Sequence, residues 1–189
     1  MKPDRIRQLT TAALIAACLA VTSWIAAFLP SAVPLTLQTF FVILAALLLR
    51  PRWAAASMLV YVALGAIGLP VFSGGRGGVA VLVGPTGGYL VAFVIAAGIG
   101  ALIAGSGTHS GARRPFWREV TAAVAMIVLI NTLGTAWLAY SAHLPLVAAL
   151  TAGVLPFLIG DIIKAAAALA VARLLSRRLL AVSSVSADS

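Results

Sequence analysis

Long apolar runs, separated by short polar or Pro/Gly-containing interruptions, cover most of the chain. A membrane-spanning helix needs about 20 predominantly apolar residues. Division of the chain at its interruptions gives six candidate spans, at residues 9–29, 35–49, 53–69, 86–104, 118–140 and 157–176. The pattern therefore predicts an all-α, polytopic membrane protein with six transmembrane helices.

The segment between the last two spans is predicted to be a connection or a short helix over residues 145–155. Proline is tolerated in the first turn of a helix but disrupts its interior, so the last helix should begin near Pro156. No polar stretch is long enough to fold as a separate soluble domain. We therefore predict one transmembrane domain over residues 1–180, with a flexible loop at 105–115, and a disordered cytoplasmic tail over 181–189.

Composition and the placement of charge both favour a membrane protein. The sequence is 62% hydrophobic and 9% charged, whereas about a quarter of the residues in soluble domains are charged. If the N-terminus is cytoplasmic, most of the 13 basic residues lie on the cytoplasmic side, as the positive-inside rule expects. They are Lys2, Arg5, Arg7, Arg50, Arg52, Arg113, Arg114, Arg118, Arg173, Arg177 and Arg178.

The net charge of +9 therefore reflects membrane topology rather than binding to nucleic acid. We predict a multi-pass protein of the cell (plasma or inner) membrane with both termini in the cytoplasm. Residues 1–29 have a basic start like that of a signal peptide, but their apolar run exceeds the roughly 7–15 residues of such a signal. We expect this segment to be a retained first helix.

An oppositely charged pair lies within the last predicted span. Asp161 and Lys164 are three residues apart, so they share one face of a helix. Ionisable side chains are costly inside a membrane and usually mark a functional site, although a structural ion pair that satisfies only itself is the alternative. At a rise of about 1.5 Å per residue, Asp161 lies roughly 24 Å above Arg177, and Asn131 lies roughly 20 Å above Arg118. Both residues are therefore predicted in the outer half of a hydrocarbon core about 30 Å thick.

A Gly-rich segment over residues 70–88 connects the third and fourth predicted helices on the outer side. Glycine permits close approach of the backbone to a ligand, and non-helical backbone at membrane depth is tolerated only where it is buried in protein or lines a wet cavity. We predict that this loop contributes backbone groups and Arg76 to the same outer cavity as Asp161. An ordinary loop with several tight turns is the alternative. Gln38 and Asn131 are further candidates, each with an interhelical hydrogen bond as its alternative role.

The sequence offers no constellation for catalysis or for metal binding. It contains neither a Ser/His/Asp triad, nor a metal-ligand cluster, nor a Walker-type phosphate loop. We predict that the chain is not an enzyme, holds no cofactor or metal, and cannot hydrolyse ATP unaided. His109 and His143 are predicted in solvated loops, and Cys18 as a packing residue. Secondary transport, with Asp161 carrying the coupled proton, is an alternative that the residues leave open.

The first helix carries small residues at helical spacing, at Ala12, Ala16 and Ala20. Stripes of this kind let two backbones approach closely, and in lipid such packing is a main cause of helix association. The stripe therefore predicts a helix–helix contact, either with a partner protein or within this chain.

Four motifs, in this order, closely resemble those of the BioY family, the biotin-specific S components of energy-coupling-factor (ECF) transporters. They occupy residues 33–39 (VPLTLQT), 65–75 (GAIGLPVFSGG), 84–89 (GPTGGY) and 160–164 (GDIIK). The resemblance extends from about residue 9 to residue 178. It implies the six-helix S-component fold and capture of external biotin in a pocket between the later helices and the Gly-rich loop. Biotin is then the transported ligand and not a cofactor.

The same resemblance implies roles for individual residues. Asp161 and Lys164 fall on the family's Asp-x-x-Lys, which is taken to contact biotin, and the alanine stripe falls on its motif for the coupling protein. The implied partners are a transmembrane coupling protein (a BioN-like T component) and an ATP-binding-cassette ATPase (BioM-like). An S component for another vitamin, such as thiamine, is the main rival. The biotin contacts that we predict are Asp161, Lys164, Asn131, Arg76, Gly75, Tyr89 and Gln38.

Overall fold

The computed structural model describes residues 3–24, 36–106 and 114–185. These residues form eight α-helices and no strand, with one isolated antiparallel bridge between Phe72 and Arg76. The helices are α1 (Pro3–Ser23), α2 (Gln38–Leu48), α3 (Pro51–Ala66), α4 (Val79–Val83), α5 (Gly87–Ala104), α6 (Phe116–Ser141), α7 (Leu146–Gly153) and α8 (Leu155–Val185). Several predicted features lie outside the described residues. They are Lys2, residues 25–29 of the first span, residues 33–35 of the first motif, residues 107–113 of the flexible loop (with His109 and Arg113), and residues 186–189 of the tail.

The six longer helices correspond to the six predicted spans, so the predicted all-α fold class is confirmed. In the described residues, four segments are long and apolar enough to cross a membrane, at Asp4–Ser23, Gly87–Ala104, Phe116–Ser141 and Leu146–Ser176. α2 has 11 residues and is therefore about 17 Å long, shorter than a hydrocarbon core of about 30 Å. Its side chains from Val42 to Leu47 are all buried. Because the other helices enclose α2, its length does not have to match the bilayer.

The last predicted span begins as the position of Pro156 indicated. α7 occupies most of the connection predicted at 145–155, and α8 begins at Leu155 with Pro156 in its first turn. The predicted start of the last helix is therefore confirmed. Proline fits this position because a backbone N–H in the first turn of a helix has no helical partner in any case. α8 continues to Val185, past the predicted domain boundary at residue 180. The disorder of the remaining tail stays a prediction.

Small residues let the central helices approach closely. Ala46 of α2, together with Ala97 and Ala101 of α5, has no exposed surface. Gly100 of α5 lies against Met126 of α6, and a Cβ at this glycine would overlap the Met126 side chain. In lipid, close packing of this kind is a main source of helix association. α5 consequently packs against α2, α3 and α6 at the centre of the bundle.

The alanine stripe of α1 faces α3. Ala12 and Ala16 are buried, Ala20 is half-buried, and the Ser57 hydroxyl of α3 donates a hydrogen bond of 2.7 Å to the Ala12 carbonyl. The sequence left open whether this stripe contacts a partner or the chain itself, and in this structure the contact is within the chain. A coupling-protein interface at Ala12, Ala16 and Ala20 stays a prediction that would require α1 to separate from α3.

An ion pair joins the beginning of α6 to the later part of α8. Arg173 Nε lies 2.6 Å from Glu119 Oε2, and the Arg173 guanidinium also lies 4.2 Å from the centre of the Phe116 ring. At about 1.5 Å per residue, Asn131 lies roughly 18 Å along α6 from Glu119, and Asp161 lies roughly 18 Å along α8 from Arg173. The two antiparallel helices therefore bring Asn131 and Asp161 to the same level of the bundle.

Candidate functional site

A cavity lies between α2, α5, α6, α8 and the Gly-rich segment. Its empty space is about 690 Å³, which includes the mouth that opens to the surroundings. The apolar part of its wall comes from Phe72, Val81, Leu90, Phe93, Ile130 and Phe157. The polar part comes from Thr36, Gln38, Thr39, Ser73, Arg76, Thr86, Tyr89, Asn131, Asp161 and Lys164. An apolar wall with a few convergent polar groups is typical of a small-molecule site.

Asp161, Lys164 and Asn131 form a polar centre where α6 meets α8. Lys164 Nζ lies 3.2 Å from Asp161 Oδ1, and Asn131 Nδ2 donates to Asp161 Oδ2 at 3.4 Å. Asp161 is only 4% exposed. The Lys164 ammonium has three donor hydrogens and one hydrogen bond to the described residues, so it retains donors for a ligand. Since all three side chains line the cavity, a binding role is favoured over a purely structural ion pair.

Gln38 also lies in the cavity wall, but its amide group is already engaged. Its Nε2 donates to Tyr61 Oη at 2.8 Å and to Ser23 Oγ at 3.1 Å. Its Oε1 accepts a hydrogen bond of 2.9 Å from the Thr36 hydroxyl, and the Tyr61 hydroxyl donates to the Val71 carbonyl at 3.0 Å. Gln38 therefore ties α1, α2, α3 and the start of the Gly-rich segment together. Its direct contact with a ligand stays a prediction.

A tight turn in the Gly-rich segment brings Arg76 beside Phe72. The Phe72 N–H donates to the Arg76 carbonyl at 2.8 Å, and Arg76 Nε donates to the Ser73 carbonyl at 3.1 Å. Gly74 and Gly75 have φ values of 73° and 71°, a region that glycine adopts without steric cost. Phe72, Ser73 and Arg76 line the cavity, so the turn forms part of the cavity wall.

The end of α1 holds this turn in place. Trp24 Nε1 donates to the Pro70 carbonyl at 2.7 Å, and the Gly74 N–H donates to the Ser23 carbonyl at 3.1 Å. Gly75 faces the Trp24 ring, since a Cβ at Gly75 would lie 3.6 Å from it. Gly75 was predicted to contact biotin, but it contributes to the attachment of the turn and not to the cavity wall. Nothing in the sequence pattern had singled out Trp24.

Tyr89 joins three helices at the cavity. Its hydroxyl donates to the Gly153 carbonyl at 3.1 Å and lies 3.2 Å from the Thr135 hydroxyl. Because a phenol has one donor hydrogen, Thr135 donates to Tyr89 while Tyr89 donates to Gly153. The Tyr89 ring packs on Gly134, where a Cβ would overlap it. Tyr89 thereby fixes α7 beside α5 and α6.

The structure brings most of the predicted biotin contacts to one cavity, with Gly75 as the exception. Sequence reasoning missed several wall residues. Phe157 had a detectable signal, because it lies one helical turn before Asp161 on the same face of α8. Phe93 had the same signal, because it lies one helical turn after Tyr89 on α5. Five missed residues stood in the quoted motifs without being singled out, namely Thr36, Thr39, Phe72, Ser73 and Thr86, and the others are Val81, Leu90, Ile130 and Gly153.

Comparison with known proteins identifies the family. A model of the BioY family matches residues 1–181. The chain belongs to the BioY family. It is 46% identical over 140 residues to a probable biotin transporter BioY of Pyrococcus horikoshii, an alignment that covers 74% of this chain and 78% of that protein. It is 38% identical over 174 residues to the biotin transporter BioY of Thermotoga maritima, with coverage of 92% and 96%.

The fold is similar to that of a solved S-component for biotin. That structure is the crystal structure at 2.1 Å of the S-component for biotin from an ECF-type ABC transporter; the TM-score is 0.78, the identity is 27%, and 94% of each chain is covered. The predicted family and the S-component-like fold are thus confirmed. As a BioY-family chain with several apolar helices, the protein is a multi-pass membrane transport component and not an enzyme.

Proposed function

We propose that this chain is the substrate-binding S component of a biotin uptake system. It captures external biotin in the cavity and delivers it with an ATPase-driven coupling module. One observation carries the proposal: a buried Asp161–Lys164 pair faces a largely apolar cavity in a chain of the BioY family. Biotin has matching chemistry, with a polar ureido group, an apolar ring and tail, and a terminal carboxylate.

Charge complementarity favours one orientation of biotin in the cavity. The buried Asp161 carboxylate accepts hydrogen bonds, so it suits the two ureido N–H groups, and Lys164 suits the ureido oxygen. In the reverse orientation, the ionised tail would meet Lys164 but would also lie beside the Asp161 carboxylate as a like charge. Arg76 is exposed on the Gly-rich turn, where a cation suits the tail carboxylate. We therefore place the ureido ring near α8 and the carboxylate near the turn.

Transport against a gradient requires partners. The sequence has no phosphate-binding loop for ATP, and the solved structure that this chain resembles is an S-component from an ECF-type ABC transporter. The proposed energy source is therefore an ATP-binding-cassette ATPase (BioM-like), which acts through a transmembrane coupling protein (a BioN-like T component). The distribution of basic residues supports an orientation in the cell membrane with both termini in the cytoplasm. In that orientation the cavity opens to the outside, where biotin is captured.

The proposal is tested by calorimetric titration of the full-length chain, purified in detergent, with biotin. We expect saturable binding of one biotin per chain and no saturable binding of thiamine. Thiamine binding without biotin binding would make the chain an S component for a different vitamin. Absence of saturable binding for both ligands would contradict the proposed function.

The alternative to ATPase-driven uptake is proton-coupled secondary transport, which is a different class of transport mechanism. The contacts of Asp161 count against it, because both carboxylate oxygens already accept hydrogen bonds from groups within the chain, Oδ1 from Lys164 Nζ and Oδ2 from Asn131 Nδ2. Biotin uptake by vesicles that contain only this chain distinguishes the two. We expect no accumulation without ATP and the coupling proteins; accumulation that an uncoupler abolishes would favour the rival.

Loosening the attachment of the Gly-rich turn is expected to speed biotin release. Trp24→Phe keeps an aromatic ring but removes the N–H that bonds the Pro70 carbonyl. Loss of one such hydrogen bond costs about 1 kcal/mol, so dissociation should be about fivefold faster, and Trp24→Ala should have a larger effect. Chase of labelled biotin by unlabelled biotin measures the rate. Trp117→Phe is the control, because Trp117 is exposed at the start of α6; an unchanged rate in Trp24→Ala would refute the role of this contact.

A further inference from the structure

A hydroxyl group in the wall of the cavity lacks a hydrogen-bond partner. Ser73 Oγ is shielded from solvent and forms no hydrogen bond with the described residues, although Ser73 lines the cavity. In the described part of the chain, Trp53 Nε1 shares this condition, but Trp53 does not line the cavity. Buried polar groups in native proteins are nearly always hydrogen-bonded, and an unpaired one destabilises the fold. A ligand in the cavity can therefore account for the unpaired Ser73 hydroxyl, although it cannot account for Trp53.

The backbone around Ser73 is held by its neighbours. The hydrogen bond between Phe72 and Arg76 closes the turn, Arg76 Nε holds the Ser73 carbonyl, and the Gly74 N–H is held by α1. With the backbone held, the Ser73 Oγ can change position only by rotation about the Cα–Cβ bond, which has three staggered positions. A ligand in the cavity that Ser73 lines can supply the missing partner.

We propose that Ser73 is a ligand-contacting residue that determines specificity, and that its hydroxyl donates a hydrogen bond to the carboxylate of bound biotin. This inference rests on the proposed function. The carboxylate is the group of choice because Arg76 lies in the same turn, so an anion at this position meets both a cation and an O–H donor. A ligand whose tail carries no hydrogen-bond acceptor leaves the Ser73 hydroxyl unpaired. The site therefore binds such a ligand more weakly than biotin.

The test compares two properties of a Ser73→Ala variant of the full-length chain in detergent. Without biotin, the midpoint of thermal unfolding should be unchanged or higher than in the native chain, because the variant loses only an unpaired hydroxyl. The dissociation constant for biotin, measured by calorimetry, should rise about three- to tenfold, as expected for one lost hydrogen bond. A merely structural serine would instead lower stability when it is replaced.

Two further arms make the result specific. Ser57→Ala is the matched control, because the Ser57 hydroxyl is buried but bonded to the Ala12 carbonyl at 2.7 Å; this variant should unfold at lower temperature and keep its affinity for biotin. An analogue of biotin whose tail ends in a methyl group tests the assigned contact. The native chain and Ser73→Ala should bind this analogue equally.

The outcomes separate this proposal from the proposed function. An unchanged dissociation constant for biotin in Ser73→Ala overturns the role of Ser73, as does an equal loss of affinity for biotin and for the methyl-ended analogue. Failure of the native chain to bind biotin overturns the proposed function itself. If alanine disturbs the turn, Ser73→Cys retains the side-chain shape with a weaker donor, and native affinity in that variant also overturns the proposal.

Discussion

The Asp161→Asn variant is expected to bind biotin at least about 30-fold more weakly than the native chain. The change removes the charge that lies 3.2 Å from the Lys164 ammonium, whose side chain is only 12% exposed. Loss of one partner of a buried, hydrogen-bonded charge pair costs about 2–5 kcal/mol at a binding interface, and about 2 kcal/mol corresponds to ~30-fold in Kd. Lys164→Ala should have an effect of similar size, because it leaves the carboxylate without its counterion. Calorimetric titration with biotin measures both.

Glu119→Gln is the matched control for these variants. Glu119 is also a buried acid in a helix–helix ion pair, with Arg173 at 2.6 Å, but it lies about 18 Å along α6 from Asn131 at a rise of about 1.5 Å per residue. Its replacement should lower the midpoint of thermal unfolding and leave the affinity for biotin unchanged. If Asp161→Asn and Lys164→Ala both retain near-native affinity, the assignment of the binding site is wrong.

A double variant separates the binding role of the pair from a structural one. Replacement of a buried ion pair by apolar residues is often neutral or stabilising, whereas removal of one partner is costly. The variant with both Asp161→Leu and Lys164→Leu should therefore unfold near the native temperature and yet bind no biotin. Native affinity in this double variant would mean that the pair serves the fold alone.

The charged part of the site was predictable from the sequence because charge is costly in lipid. Asp161 and Lys164 interrupt the apolar run between residues 157 and 172, and such residues are retained where they face a cavity or each other. Helical geometry then gave the depth of Asp161 and Asn131, and the structure brings the two side chains within 3.4 Å. The six-helix fold was predictable for the same reason, since the apolar runs and the basic ends mark the spans.

The Gly-rich turn was not predictable to the same degree, because its geometry depends on contacts that are distant in sequence. Positive φ occurs at Gly74 and Gly75, between the cavity residues Ser73 and Arg76. Trp24, directly after α1, bonds the Pro70 carbonyl on another side of the turn. The number of glycines in a segment indicates how many backbone conformations are open to it, but not which conformation it adopts or where its side chains point. For the same reason, spacing revealed the alanine stripe of α1 without revealing that it packs on α3.

Gly65→Ala is expected to displace the Gly-rich turn and to weaken biotin binding about tenfold or more. A Cβ on Gly65 would overlap the ring of Phe72, which is 1% exposed and packs edge-on against Tyr61 with ring centres 5.7 Å apart. Because the ring is enclosed, we expect it to yield by shifting the Phe72 backbone, whose N–H is bonded to the Arg76 carbonyl of the turn. Overpacking of a well-packed core typically costs about 1–3 kcal/mol. Thermal unfolding and calorimetric titration measure the two effects.

A glycine elsewhere in the bundle and a compensating change test whether the overlap is the cause. Gly98→Ala places its Cβ 3.5 Å from the Ala55 Cβ, an ordinary contact, and alanine is about 1 kcal/mol more favourable than glycine within a helix. That variant should be as stable as the native chain or more so, with native affinity. Adding Phe72→Leu to Gly65→Ala shortens the side chain and should restore part of the lost affinity. Native affinity in Gly65→Ala alone would mean that the packing of Phe72 does not hold the turn at the cavity.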